Sequence, residues 1–150
     1  PALTFLSFDE EHHRIALINL DVIDPEGKRP LNSATGTLEH IAFTFANATD
    51  LLNNYVRLKA LGIEPFWCVH HGMTLSMYYQ DPDGNRVEFQ VEVYDSADAA
   101  NNFLSTEVFA KNPIGVEFEA GELVTLMENG ADEAELVKYT PGPMAMPPGA

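Results

Sequence analysis

A predicted strand–turn–strand segment constrains the fold of this chain more than any other feature. Residues 69–90 read VHHGMTLSMYYQDPDGNRVEFQ. The DPDGN run at residues 81–85 favours a tight turn, because Pro82 presets φ at the second turn position and Gly84 tolerates left-handed backbone. The sequence therefore predicts two antiparallel strands joined by this turn.

Polar and apolar residues alternate on both sides of the turn. Side chains of a strand point to opposite faces in turn. Thr74, Ser76 and Tyr78 therefore share one face, and Glu88 belongs to a polar face of the following strand. A polar sheet face is the first place to expect chemistry.

Patterning along the rest of the chain predicts an α+β fold. Strands are expected at residues 3–8, 13–20, 38–45 and 65–70. A helix is expected to follow the third of them, with Thr49 as N-cap and Gly62 at its left-handed end. From residue 38 to residue 93 the order is then β-α-β-β-β.

This order suggests one complete module preceded by part of another. Residues 1–20 are predicted to be the final hairpin of an incomplete first βαβββ module, and residues 21–37 a connecting loop. Residues 38–95 form the complete module, whose curved mixed sheet has a helix on one side and a polar concave side on the other. Residues 96–150 are a C-terminal extension ending in a flexible tail, which is rich in Pro and Gly from Pro141 onward.

Helical segments are expected within the extension at residues 96–105 and 122–127. Residues 109–118 contain a Pro-Ile-Gly turn and are expected to pack across a sheet edge.

Composition excludes several classes of partner. The chain has 23 acidic and 8 basic residues, for a formal charge of −15. Such a charge disfavours binding to nucleic acid and to anionic membrane surfaces. Cys68 is the only cysteine, so an intrachain disulfide is impossible. With no apolar run near the roughly 20 residues of a membrane span and no signal peptide at the start, the sequence predicts a cytoplasmic protein.

His40 and Glu88 are the candidate metal ligands. They lie on the first and last strands of the predicted module, and these strands can be neighbours in the sheet. An imidazole and a carboxylate, completed by another histidine, form the facial triad that suits Fe(II), or Mn(II), and leaves positions open for substrate. On spacing alone, a hydrogen-bonded structural histidine and a solvated glutamate are the commoner alternative.

Four segments carry a resemblance to a known family. LEHIAF (residues 38–43) and HGMTLSMYYQDPDGNRVEFQ (residues 71–90) resemble the metal-binding unit of the vicinal oxygen chelate superfamily. They are most similar to the extradiol catechol dioxygenases and their single-domain relatives. FLSFDEEHHRIAL (residues 5–17) resembles the hairpin that ends the preceding module in those enzymes, and NPIGVEF (residues 112–118) resembles a segment of the single-domain relatives.

The resemblance implies roles for individual residues. It implies that His40 and Glu88 are metal ligands. It implies that His13 lies close to substrate and O₂ as an acid–base group, and that Tyr78 hydrogen-bonds a bound catecholate. His71 is implied to line the pocket, and it is grouped with His13 and Tyr78 as catalytic.

Further positions complete the predicted site. Ser76 shares the face of Tyr78 and is predicted to contact substrate. Ala16 stands where glyoxalase-type relatives carry a metal-ligand glutamate, so an open position beside the substrate is expected there. His12 and His70 are assigned to structure or surface.

The third metal ligand of the family, a histidine, has no counterpart, since no histidine precedes His12. The sequence could be a fragment, another chain could supply the ligand, or two protein ligands could hold the metal weakly. The site could also bind no metal. Pro1 fits a Met-Pro start from which the methionine has been removed, so a genuinely short chain is also compatible.

Three functions follow. The leading one is an extradiol-type dioxygenase that uses Fe(II), or Mn(II), and O₂ to open a catechol-like aromatic ring. The alternatives are a metal-free small-molecule binding protein of the resistance type and a glyoxalase-like isomerase or lyase, against which Ala16 argues. The first module is incomplete, which leaves sheet edges exposed. We therefore expect a homo-oligomer, most simply a dimer that covers these edges.

Overall fold

The computed structural model describes residues 3–8, 13–23, 25–26 and 38–146. Its strands are β1 (Leu3–Leu6), β2 (Ile15–Ile18), β3 (Ile41–Thr44), β4 (Trp67–His70), β5 (Thr74–Gln80), β6 (Arg86–Glu92) and β7 (Val116–Glu117). Its helices are α1 (Leu20–Ile23), α2 (Ala48–Ala60), α3 (Ala97–Leu104), α4 (Glu107–Lys111), α5 (Ala120–Glu128) and α6 (Glu133–Leu136). The predicted β-α-β-β-β order is confirmed as β3, α2, β4, β5 and β6.

The strands form two sheets. β1 and β2 make a separate antiparallel hairpin, in which Phe5 pairs with Ala16. The other five strands form one mixed sheet in the order β3-β6-β5-β4-β7, with β3 parallel to β6 and the remaining pairs antiparallel. The predicted mixed sheet is therefore confirmed, and β3 and β6 are neighbours in it.

The turn between β5 and β6 has the predicted chemistry. Gly84 has a φ of 88°, in the left-handed region. The Asp81 carboxylate accepts hydrogen bonds from the backbone N–H groups of Asp83, at 3.0 Å, and Asn85, at 2.7 Å. These bonds fix the register of the two strands, in which Tyr78 lies opposite Glu88.

The apolar core lies between helix α2 and one face of the large sheet. Leu51 and Leu52 of the helix are fully buried, and Leu75 and Met77 of β5 are buried against them. The predicted N-cap is wrong by two residues. The Asn47 side chain, rather than that of Thr49, accepts the hydrogen bond from a first-turn N–H group, that of Asp50, at 2.7 Å.

The C-terminal extension packs onto the same core. Helices α5 and α6 contact α2, and Glu133 of α6 accepts hydrogen bonds from the backbone N–H groups of Ala48, at 2.8 Å, and Thr49, at 3.1 Å. The helices predicted at residues 96–105 and 122–127 are confirmed as α3 and α5. The predicted packing of residues 109–118 across a sheet edge is confirmed by β7, which pairs with β4.

The tail and the connecting loop differ from expectation. The tail was predicted to be loose, but Ala145 is buried, and its N–H donates to the Gly115 carbonyl at 2.8 Å. The predicted loop at residues 21–37 begins with part of helix α1, and residues 27–37 lie outside the described residues. None of the helices in the described ranges combines the length and apolarity needed to cross a bilayer.

Candidate active site

The face of the large sheet opposite helix α2 brings His40 and Glu88 together. In the parallel register of β3 and β6, Ala42 lies beside Glu88. His40 precedes Ala42 by two residues, just before the strand begins, and its ring reaches the same face. Its Nε2 atom lies 2.9 Å from Oε2 of Glu88. The parallel pairing of β3 with β6 thus brings together His40 and Glu88, which are 48 positions apart in the chain.

The charges of this pair are strongly coupled. Burial acts to lower the pKa of His40, but hydrogen bonds and charges from Glu39 and Glu88 outweigh it and raise this pKa to about 9. Burial acts to raise the pKa of Glu88, but the hydrogen bond and charge of His40, with a hydrogen bond from Ser76, outweigh it and hold this pKa below its usual value. At neutral pH the pair is therefore an imidazolium and a carboxylate, with a proton between Nε2 and Oε2.

Tyr78 and His71 extend this group across the sheet. The Tyr78 hydroxyl lies 3.0 Å from Nε2 of His71 and also hydrogen-bonds the Glu88 carboxylate. Burial and the charge of Glu88 raise the pKa of Tyr78 well above its ordinary value. The phenol therefore stays neutral, and its single proton faces two acceptors.

The protonation of His71 is set by its backbone partner. Nδ1 of His71 lies within hydrogen-bond distance of the Ile114 carbonyl, which can only accept. Burial lowers the pKa of His71, so the ring is neutral with its proton on Nδ1. Nε2 then has a free lone pair and accepts from the Tyr78 hydroxyl.

An apolar wall closes the site beside Tyr78. The ring centroids of Trp67 and Tyr78 are 5.1 Å apart, and Val69 and Ala145 are buried against them. The side chain of His40 is 29% exposed, whereas that of Glu88 is only 6% exposed. Access to the group is therefore from the His40 side.

The remaining predicted site residues lie elsewhere or deeper. Ser76 is fully buried, and its hydroxyl donates to that of Thr74 at 3.1 Å. It also helps to hold the pKa of Glu88 below its usual value. Ala16 and His13 belong to the separate hairpin, where the His13 ring packs against Phe5 with centroids 4.6 Å apart. Their predicted roles beside the substrate stay predictions.

His70 and His12 are the two histidines that the sequence assigned to structure or surface. His70 is buried on the helix-bearing face, 2.9 Å from the Val137 carbonyl through Nε2, and it accepts from the Gly72 N–H through Nδ1. Both of these hydrogen bonds are with the backbone, and the ring also packs against Tyr139, with centroids 5.0 Å apart. His12 lies outside the described residues.

Comparison with known proteins shows the family of the chain. The model of the Glyoxalase/Bleomycin resistance protein/Dioxygenase superfamily matches residues 1–89. The chain belongs to this superfamily. The resemblance drawn from the four sequence segments is therefore confirmed, and the mixed α+β sheet is that of the vicinal oxygen chelate fold.

Two curated members of the superfamily, both from Rhodococcus globerulus, are similar to the chain. Biphenyl-2,3-diol 1,2-dioxygenase 2 is 43% identical over 117 residues, which cover 78% of this chain and 60% of that protein. Biphenyl-2,3-diol 1,2-dioxygenase 3 is 40% identical over 137 residues, which cover 91% of this chain and 70% of that protein. The matched segment is thus somewhat under two thirds of the length of the first relative and slightly over two thirds of the length of the second.

The His40–Glu88 pair fits two ligands of a superfamily metal site. Metal bonds to nitrogen and oxygen of about 2.1 Å place adjacent ligands of an octahedral ion about 3 Å apart, and the two atoms here are separated by 2.9 Å. An imidazole and a carboxylate are also the donor types of a facial triad. Within the described ranges, no three His, Cys, Asp or Glu side chains are grouped so as to hold an ion.

Three contacts of the site were not predicted. Glu39 contacts Nδ1 of His40 and also the Arg86 guanidinium, and the Ile114 carbonyl contacts His71. Arg86 precedes Glu88 by two residues on β6, so strand alternation alone could have placed it on the same face. Glu39 and Ile114 lie outside regular structure, where alternation gives no signal.

Proposed function

We propose that this chain carries the active site of an extradiol-type dioxygenase that opens a catechol-like aromatic ring with O₂. The approach of His40 to Glu88 on neighbouring parallel strands is the observation that carries the proposal. The names of the two Rhodococcus relatives, both biphenyl-2,3-diol dioxygenases, support it. They also suggest a bicyclic diol as the substrate class.

His40 and Glu88 would hold the metal, Fe(II) or Mn(II). When bound, the ion would supply a positively charged template that chelates two neighbouring oxygens of a diol. This requires His40 to release its Nε2 proton, while Glu88 is already a carboxylate at neutral pH. Ser76 contributes by hydrogen-bonding Glu88 and by lowering the pKa of that carboxyl group.

Tyr78 and His71 are suited to handle a substrate proton. When the Tyr78 hydroxyl donates to Nε2 of His71, the lone pairs of its oxygen are available to a diol hydroxyl. Because the Ile114 carbonyl keeps the His71 proton on Nδ1, Nε2 of His71 can only accept from Tyr78, and the Glu88 carboxylate is the other acceptor for the same hydroxyl proton. Tyr78 therefore orients the diol and accepts its hydrogen bond. His13 stays the predicted acid–base group near the distal oxygens.

The neighbouring wall favours an apolar ring. Trp67, Val69 and Ala145 pack around the Tyr78 ring and offer apolar surface beside its hydroxyl. An aromatic substituent on the diol could pack there and bury its faces. We expect a lower KM for 2,3-dihydroxybiphenyl than for unsubstituted catechol.

The test is anaerobic loading with Fe(II) or Mn(II), followed by addition of a diol and air. We expect O₂ consumption and a yellow ring-opened product in equal amounts. Glu88→Gln should lower kcat/KM by at least 100-fold, because one of two metal ligands is lost. Glu64→Gln is the matched control, since Glu64 is exposed and paired with Lys59 at 3.4 Å.

The control variant should keep full activity. Absence of O₂ uptake across a broad panel of diols, with either metal bound in stoichiometric amount, would refute the proposal. A dimer and a cytoplasmic location stay predictions from the sequence.

A metal-free binding protein of the same superfamily is the second candidate. The observation that favours it is that the described residues place only two suitable ligands together. This candidate predicts that binding of an aromatic diol, measured by calorimetry, is unchanged by a chelator. One iron or manganese ion per chain after dialysis would reject it.

A further inference from the structure

The Glu39 carboxylate bridges two side chains at the edge of the candidate site. One of its oxygens contacts Nδ1 of His40, and the other contacts Nη1 of Arg86. Arg86, Glu39 and His40 thus form a chain of contacts. This chain ends at Glu88, because Nε2 of His40 faces that residue. The Glu39 side chain is 31% exposed, so water competes only in part for these contacts.

A histidine can ligate a metal through Nε2 only if its remaining proton is on Nδ1. The hydrogen bond made by the other ring nitrogen decides which tautomer is present and how the ring is turned. A carboxylate accepts strongly from Nδ1–H. Glu39 therefore favours the tautomer that directs a lone pair of His40 toward Glu88.

Arg86 in turn holds Glu39. It lies at the start of β6, two residues before Glu88, so the same strand positions a proposed ligand and the anchor of Glu39. Its guanidinium lies 5.5 Å from the centre of the Phe66 ring, which restricts its motion further. Neither Glu39 nor Arg86 touches the position between His40 and Glu88.

We propose that Glu39 is a positioning residue for His40, which fixes the tautomer and the ring orientation needed for metal ligation, and that Arg86 anchors it. The metal part of this inference rests on the proposed function. The tautomer part does not, because it can be read in the metal-free protein.

The first measurement is Mn(II) affinity, from electron paramagnetic resonance titration of the full chain. We expect Glu39→Ala to weaken binding about 10- to 100-fold, the usual effect of losing the partner of a ligating histidine. The loss of Mn(II) affinity in Glu39→Gln should be smaller, since the amide oxygen of the glutamine still accepts from Nδ1–H. Arg86→Gln should also weaken binding, because Glu39 is then free to leave His40.

Controls separate this effect from general damage. Glu64→Gln removes an exposed carboxylate that is paired with Lys59, and it should bind Mn(II) as the parent does. Circular dichroism should show that each variant is folded. Activity with a diol should fall in parallel with metal occupancy and recover at saturating metal.

The second measurement is the tautomer of His40, from ¹⁵N NMR of the metal-free protein at a pH where the ring is neutral. The parent should show a substantial share of protonation at Nδ1, since Glu39 competes there with Glu88 at Nε2. In Glu39→Ala the proton should move to Nε2, because Glu88 is then the remaining acceptor. If the parent binds no Mn(II), the proposed function fails and this tautomer shift alone decides the role of Glu39.

Two results would overturn the inference. One is Mn(II) affinity of Glu39→Ala within twofold of that of a metal-binding parent. The other is an unchanged His40 tautomer in this variant.

Discussion

The imidazolium of His40 should make the metal-free protein lose stability as the pH rises above neutrality. The ring lies between two carboxylates, those of Glu39 and Glu88, which raise its pKa from 6.5 to about 9 despite the opposing effect of burial. The unfolded chain offers no such partners, so its histidine keeps an ordinary pKa. A group whose pKa is raised on folding stabilises the folded state fully below pH 6.5 and loses that effect as the pH rises through 9.

The magnitude follows from the shift. Each pKa unit is worth about 1.4 kcal/mol, so a rise from 6.5 to about 9 corresponds to about 3 kcal/mol at low pH. Linkage then gives a loss of about 2 kcal/mol between pH 6.5 and pH 8.5. Because the side chain is 29% exposed, water reduces this figure somewhat and does not abolish it.

Urea unfolding of the chelator-treated protein at several pH values measures this loss. The variant His40→Gln is the reference, because titrating groups remote from His40 contribute equally to both proteins. One of them is His70, whose pKa is lowered by burial and which destabilises the fold below pH 6.5. We expect the stability difference between the parent and His40→Gln to shrink by about 2 kcal/mol from pH 6.5 to pH 8.5. A difference that stays constant over this range would refute the carboxylate–imidazolium arrangement.

Two further predictions concern packing and assembly. Gly115→Ala should lower the free energy of unfolding in urea by about 3 kcal/mol, because φ is +114° and a Cβ atom would lie 2.3 Å from the His70 carbonyl oxygen. Gly62 has a φ of +77° and open space around it, so Gly62→Ala should cost only about 1 kcal/mol. Equal losses of stability in the two variants would contradict this reasoning. Phe43→Glu should turn a dimer into a monomer in light scattering, since Phe43 is 54% exposed on the edge strand of the described sheet. Leu61→Glu, on the exposed end of helix α2, should leave assembly unchanged, and a parent that is monomeric at working concentrations would refute the predicted dimer.

Local chemistry made much of the module predictable from the sequence. Turn residues around Gly84 and the alternation of β5 and β6 depend on neighbours a few residues away, and these rules gave the hairpin and its faces. The pairing of His40 with Glu88 also followed, because a β-α-β-β-β order allows its first and last strands to be neighbours. The structure shows them parallel and adjacent, with His40 just outside the strand instead of within it.

The details that sequence rules missed depend on contacts between distant segments. Thr49 has the chemistry of an N-cap, but its hydroxyl and N–H contact Glu133, 84 residues further along, and Asn47 takes the capping role. Ala145 reaches the Tyr78 wall from a tail whose composition suggests disorder. No periodicity or motif in the sequence predicts either contact, because each forms only when the C-terminal extension packs on the module.

A proton lies between His40 and Glu88, the two residues that would hold an ion under the proposed function. His40 and Glu88 are already separated by 2.9 Å, about the distance between adjacent ligands of one ion. Ligation would therefore require loss of the Nε2 proton from His40. As a positioning residue, Glu39 would keep its contact at Nδ1 when the Nε2 proton is lost. Because the same carboxylates that raise the pKa of His40 would also attract a divalent ion, metal affinity should increase with pH up to about 9, over the same range in which the metal-free protein loses stability.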